Sequence, residues 1–352
     1  MENMDKKVNT ATLPDRRFFH RLQLFVKQDR MTISEFSKTF KAYAWGLFRL
    51  ALLLGISYIL IYPVLYMISN GLKPTAQNFD PSVIWIPKSL TMVNFIDAIQ
   101  ILDFGNALKN TLLVNGVSSI LQVLSCCVVG YGFARFKFRG RGLLFGLVLL
   151  TMIVPPQTIS TSLYFSYRHF DMMGLLTIFN DITFKLMGFR ININLIDKLA
   201  VSYLPAMLGM GLRSGLYIFV FRQFFRGMPR ELEDAGAIDG AGLFKVFLKV
   251  MLPNASASIL TVTLFSIVWQ WNDYYTPAMY MPGKPTIATS LSSFQFNLQR
   301  LATVGGMYTD PFVTSTRVQA ACLLSILPLL IGYIFAQRYF TESIERTGIT
   351  GM

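Results

Sequence analysis

Long apolar runs alternate with short polar stretches along almost all of this 352-residue chain. Six of these runs are long enough to cross a hydrocarbon core, which takes roughly 20 apolar residues as helix. They lie near Trp45–Met67, Thr111–Phe133, Gly142–Tyr164, Ala200–Phe221, Ala255–Ala278 and Val318–Phe335. Lipid offers no partner to a free backbone N–H or C=O, so each run is expected to be helical. A β-barrel would show short alternating segments, and these runs are continuous. The pattern predicts an all-α, polytopic protein with six transmembrane helices. It divides the chain into an N-terminal cytoplasmic tail (1–42), a transmembrane domain (43–340) and a cytoplasmic C-terminal tail (341–352).

Composition agrees. A mean hydropathy of +0.46 with 14% charged residues is too apolar for a soluble domain of this length. Charge placement sets the orientation: with both termini inside, about 20 Lys and Arg are cytoplasmic against about 10 outside. The inner set includes Arg135, Lys137, Arg139 and Arg141 between the second and third runs, and Arg222, Arg226 and Arg230 after the fourth. A net charge of +13 does not call for nucleic acid here, because basic residues bordering apolar spans are topology anchors. The chain is expected to contact membrane lipid and no nucleic acid, in a bacterial cytoplasmic membrane.

The polar N-terminal tail lacks the early apolar stretch of a cleaved signal peptide. Its Phe18, Phe19, Leu22, Phe25 and Val26 share one helical face, which suits either a helix in the headgroup layer or a loosely ordered basic tail. Thr32 and Glu35 have capping-box spacing and are expected to start the first helix. Cys126, Cys127 and Cys322 fall within apolar runs and read as small buried residues.

Between the fourth and fifth runs lies a short acid-tipped segment, Pro229 to Pro253. Pro229 suits the first position of a helix, where its missing N–H costs nothing. Glu231, Glu233 and Asp234 crowd the first turns, where the positive end of the helix dipole favours acids. Gly240 is placed to end the helix in a left-handed conformation. Leu243, Phe244, Val246, Phe247 and Val250 then predict an amphipathic helix with Lys245 and Lys249 on its wet side, stopped by Pro253. Small residues at Ala235, Gly236, Ala237, Gly240 and Ala241 permit close approach by a partner.

This segment resembles the EAA loop of permease subunits of binding-protein-dependent ABC importers. That motif has an acid and two alanines, a glycine four residues later, and an apolar-x-Leu-Pro close. Asp234, Ala235, Gly236 and Gly240 take those places, with Val250-x-Leu252-Pro253 as the close. The wider text Glu-Leu-x-Asp-Ala-x-x-Ile-Asp-Gly-Ala is similar to the carbohydrate (maltose-type) branch. Tyr131-Gly132-Phe133-Ala134-Arg135-Phe136, Ile153-Val154-Pro155-Pro156, Trp271-Asn272-Asp273 and Gln337-Arg338-Tyr339-Phe340 also look like family segments.

The resemblance implies a coupling loop over residues 229–253, with Glu231, Glu233, Asp234, Ala235, Gly236, Asp239, Gly240 and Ala241 meeting an ATPase. It implies a second homologous permease, two ATPase subunits and an extracytoplasmic substrate-binding protein, sugar or oligosaccharide as cargo, and alternating access. ATP and Mg would be bound by the ATPase subunits, and no cofactor by this chain. The sequence itself lacks a Gly-x-x-x-x-Gly-Lys-Ser/Thr phosphate loop, so the subunit is expected to be non-catalytic. The alternative is a self-contained secondary transporter or channel, which leaves the acid-tipped loop without a role.

Departures from the family text are Asp for Glu at Asp234, Gly for Ala at Gly236, a longer amino tail, and extra outer sequence at about 178–199. That insert is either a lid, a contact for the binding protein, or a tolerated loop. Pro155, Pro156, Asn272 and Asp273 are expected near the transport pathway, since broken backbone at membrane depth is tolerated beside a cavity, while Trp271 and Asn272 read equally as an interfacial anchor with a local hydrogen bond. Arg213 falls near the middle of the fourth run, where a charge costs at least ~2.5 kcal/mol, and Asp273 is one expected partner.

Overall fold

The structure is a computed structural model that describes residues 33–83, 85–171, 174–187, 192–304 and 311–349. The expected tail helix around Phe18–Val26 and the capping position Thr32 lie outside the described residues. The described residues are helical apart from turns and one isolated antiparallel bridge, Phe170 to Ile193.

Contacts divide the chain into a unit ending at Leu65 and a second beginning at Tyr66. The first helix, α1 (Ile33–Gly71), is continuous through Pro63. In the second unit, α2 (Val93–Ile101) precedes α3 (Phe104–Thr111), which runs through one π-turn, Leu112–Gly116, into α4 (Val117–Arg135). Next come α5 (Arg141–Ile153), α6 (Pro156–Arg168), α7 (Leu175–Met187), α8 (Ala200–Met207) and α9 (Ser214–Gly227). The acid-tipped helix α10 (Glu231–Ile238) is followed by α11 (Leu243–Val246), a π-turn, α12 (Leu252–Asn254) and α13 (Ser256–Trp271). The chain closes with α14 (Tyr275–Tyr280), α15 (Ile287–Ser292), α16 (Phe294–Val304) and α17 (Pro311–Ile349).

Three stretches are each long and apolar enough to cross a membrane: Phe40–Gly71, Phe104–Arg135 and Thr314–Arg338. Two bent pairs raise the number to five among the described residues. In one, α5 and α6 meet at 103°, broken where Pro155 and Pro156 remove successive N–H groups. In the other, the α11–α12 segment meets α13 at 76°, broken at Ala255 just beyond Pro253. The expected fourth span, Ala200–Phe221, is not one helix. It splits into α8 and α9 because Gly209 (φ 69°) and Arg213 (φ 63°) both adopt the left-handed conformation. The final helix runs on past residue 340 without a break at the expected tail boundary.

The core of the second unit is an aromatic cluster where α4, α9 and the segment leading into α13 meet. Tyr131, Tyr217, Phe221, Phe225, Phe247 and Met251 are buried there. Close approach depends on Gly130, where an added Cβ would lie 2.5 Å from the Phe221 Cβ. Small residues at such crossings let backbones pack when lipid supplies no hydrophobic drive between helices. Ala98 and Leu102 of α2 pack with Phe294 and Leu298 of α16 and with Ala320 and Ala321 of α17. Asn94 binds the carbonyls of Gly71 (2.9 Å) and Lys73 (2.8 Å), and Arg317 pairs with Asp97 at 2.6 Å.

Candidate functional site: the docking helix and the mid-depth break

The first three acids of the segment face different ways. Glu231 and Asp234 are exposed at the start of α10, whereas Glu233 turns inward. There it accepts a 3.0 Å hydrogen bond from the Tyr131 hydroxyl and sits 3.2 Å from Nε of Arg135. That nitrogen approaches by charge without donor alignment, and Nη2 of Arg135 donates instead to the Met228 carbonyl at 2.9 Å. Glu233 is expected to meet a partner, and within this chain its carboxylate belongs to an internal ion pair. The reason is helical spacing. Tyr131 and Arg135 stand one turn apart on α4 and present their polar ends together.

Gly236 lies on the same inward face, three residues on from Glu233. It is buried, and an added Cβ would approach Cγ2 of Val246 to 3.0 Å. The outward face carries Asp234, Ala235, Ala237 and Ile238, the last 86% exposed. Gly240 takes φ 74°. Its N–H bonds the Ala237 carbonyl and that of Ala241 bonds the Gly236 carbonyl, each at 3.0 Å. This is the Schellman stop expected of a glycine-ended helix. Asp239 and Gly240 are exposed and Ala241 is half-buried. The amphipathic helix expected next runs through α11, the π-turn and α12 from Leu243 to Asn254. Val246 and Phe247 are buried, Lys245 and Lys249 are exposed, and Leu243 and Phe244 are 70% and 74% exposed.

The expected pathway residues are brought together only in part. Arg213 caps α9 and its guanidinium lies 4.4 Å above the Trp269 ring. The expected pairing with Asp273 is not formed. Asp273 instead accepts from the backbone N–H groups of Tyr275 and Thr276, both at 3.1 Å, starting α14. The Asn272 amide bonds its own helix at Val268, 2.8 Å, and Trp271 Nε1 ties α13 to the Ser325 carbonyl at 3.1 Å. Pro155 and Pro156 are exposed at the bend between α5 and α6. Beyond it, Tyr275 and Tyr280 both reach Ser160 of α6, at 2.8 and 3.0 Å.

Sequence reading missed a buried amide hub at the same break. Gln122 on α4 is fully buried. Its Nε2 donates to the Leu212 carbonyl (2.5 Å) and Ser214 (2.8 Å), while its Oε1 accepts from Gln270 (2.7 Å) and Ser266 (3.3 Å). The available signal was a glutamine within each of two apolar runs, since polar groups at membrane depth find partners.

The segment expected to be an outer insert, about 178–199, is partly anchored. Leu195 is buried, Asp197 accepts from the Gly283 N–H at 2.7 Å, and Lys284 reaches the Asp197 carbonyl. Asp171 caps α7, and the Thr177 hydroxyl is the main cause holding its carboxyl below the usual range.

The profile of the family described as binding-protein-dependent transport system inner membrane component matches residues 127–346. The chain belongs to this family. It is therefore a non-catalytic, membrane-embedded subunit of a transport complex, one whose family associates with an ATPase and a substrate-binding protein. It is 26% identical to the arabinooligosaccharides transport system permease protein AraQ of Halalkalibacterium halodurans over 299 residues, 84% of this chain and 93% of that protein. It is 24% identical to the melibiose/raffinose/stachyose import permease protein MelC of Bacillus subtilis over 291 residues, 82% and 91% of the two chains. Its fold matches a bacterial ABC transporter involved in the import of the acidic polysaccharide alginate. That match has a TM-score of 0.59 at 18% identity and covers 89% of this chain and 100% of the other. Family membership sets aside the self-contained transporter or channel.

Proposed function

We propose that this chain forms part of the translocation pathway of an ATP-driven importer for a sugar or oligosaccharide. It works with a second homologous permease, two ATPase subunits that bind ATP and Mg, and an extracytoplasmic binding protein. Both of its termini are cytoplasmic in this reading. The observation that carries it is the two-sided docking helix: α10 is anchored inward through Glu233 and Gly236, and presents Asp234, Ala235, Ala237 and Ile238 outward. An apolar side chain as exposed as Ile238 beside a free acid suits a helix seated in a partner's groove. Relatives named for arabinooligosaccharide and for melibiose, raffinose and stachyose transport support the choice of cargo.

Arg213 supports a pathway through the membrane domain. The 14 residues of α9 rise about 1.5 Å each, so roughly 20 Å of helix separates Arg213 from the Gly227 end, which is read as the cytoplasmic one. An exposed charge there faces water or a partner rather than lipid. We assign Arg213, Pro155, Pro156, Asn272 and Asp273 to the wall of that pathway.

The test is co-purification. The tagged chain, expressed with its partners, should bring down an ATPase subunit, and Ile238→Asp should release it. An ATPase that stays bound to the Ile238→Asp and Asp234→Lys variants would overturn the docking assignment.

A further inference from the structure

We propose that Glu233, Tyr131 and Arg135 form the rigid link that carries movement of the docking helix into α4. This rests on the docking reading above and adds which residues inside the chain receive the motion. Glu233 is a positioning residue here, since it acts through α4 and touches no transported molecule.

Three observations converge on it. First, the ion pair is sheltered: the Arg135 side chain is 7% exposed and that of Glu233 23%. Separating such a pair leaves a poorly hydrated charge behind, so the pair resists being pulled apart. Second, it joins three elements. Arg135 on α4 holds both Glu233 on α10 and the Met228 carbonyl at the end of α9. Third, the Tyr131 ring that donates to Glu233 is wedged in the aromatic cluster, 5.3 Å from the Phe225 centroid and 4.7 Å from that of Phe247. Tilting α10 therefore pulls on α4 through two polar contacts one turn apart. Packed aromatic rings behind them leave little slack.

The surface acids lack this connection. Glu231, Asp234 and Asp239 are exposed and lie on the side open to a partner. The helix thus separates its tasks by face: the outer residues receive a partner, and Glu233 grips the membrane domain.

The complete importer is reconstituted with paired spin labels at Lys137→Cys and Gln337→Cys, both exposed and outside α10. Native Cys126, Cys127 and Cys322 are replaced. The distance is measured with and without MgATP–vanadate trapping. The parent should show a shift. Glu233→Gln, which keeps an acceptor for Tyr131 but removes the charge, should keep the ATPase bound and lose most of the shift. Tyr131→Phe should do the same, and the exchange Glu233→Arg with Arg135→Glu should regain it. A full shift in Glu233→Gln and Tyr131→Phe overturns the proposal, as does a parent that shows none. Loss of the ATPase from Glu233→Gln also overturns it, because Glu233 would then be needed for docking itself. Failure of the parent to retain any ATPase would instead sink the docking reading, so the two failures are distinguishable.

Discussion

The side-chain amide of Gln270 donates a 2.7 Å hydrogen bond to Oε1 of Gln122, joining α13 to α4 with both residues buried. Through the same Gln122, α4 also holds the Leu212 carbonyl and Ser214 at the break between α8 and α9. One side chain thus pins the point where the fourth span is interrupted. A backbone opened at membrane depth needs such a partner for its freed carbonyl.

Gln122→Met should therefore cost more stability than Gln270→Leu. The first leaves Leu212, Ser214 and Gln270 without their shared partner, at about 1–3 kcal/mol for a buried group left unpaired. The second leaves Gln122 its other contacts, and membrane hydrogen bonds of this kind average about 0.6 kcal/mol. Thermal unfolding of the detergent-solubilised complex measures the order. Equal losses would show that the hub does not act through Gln122.

Glycine substitutions should separate by what a Cβ would meet. Gly130→Ala forces a 2.5 Å contact on Phe221 and should cost about 1–3 kcal/mol, as overpacked cores do. Gly105 lies in α3 with nothing within 4 Å, so Gly105→Ala should be neutral or gain up to ~1 kcal/mol of helix propensity. Expression and melting temperature read both. A harmless Gly130→Ala would contradict the tight crossing of α4 and α9.

Gly240 has open space around it but a left-handed backbone. Gly240→Ala should then act only through conformation, at about 1 kcal/mol, with Gly240→Asn milder. Weakened ATPase retention in the order Ala worse than Asn is the expected result. Equal retention by the Ala variant and the parent would mean the stop is not needed for docking.

Arg213 gives predictions of opposite sign. Its left-handed backbone is strained for a non-glycine residue, by about 1–3 kcal/mol, and Asn tolerates that conformation better. Arg213→Asn should leave the melting temperature unchanged or raised, while uptake of the labelled sugar or oligosaccharide that the parent transports falls. Parallel loss of both would identify Arg213 as a packing residue through Trp269 instead.

Orientation is tested by labelling intact cells with an impermeant thiol reagent. A cysteine at Asp181 should react and one at Lys137 should not, both being exposed positions. The background is low, because Cys126 and Cys127 are buried and Cys322 half-buried. Reaction at Lys137 would reverse the topology.

Much of this was legible in the residues. A proline pair, Pro155 and Pro156, broke the third run, and Gly240 ended α10 as a left-handed stop. Both follow from local backbone chemistry. The fourth run misled because its apolar side chains satisfy a hydropathy pattern whether or not the backbone is continuous. Pro205, Gly209 and Gly211 were the available warning, and the left-handed turn at Arg213 left no signal of its own.

The sequence by itself determined the class of protein, the apolar spans and the acid-tipped loop, because hydropathy, turn residues and helix caps are properties of neighbours along the chain. Tertiary structure alone decided which acid faces inward and which amide holds the break. Glu231, Glu233 and Asp234 are chemically alike and crowd the same first turns of one helix. Only the arrival of Tyr131 and Arg135 from α4, about 100 residues earlier, distinguishes Glu233 from the others. The same holds for Arg213, whose guanidinium lies over Trp269 from a left-handed backbone at the break in the fourth span, a contact that hydropathy alone could not assign.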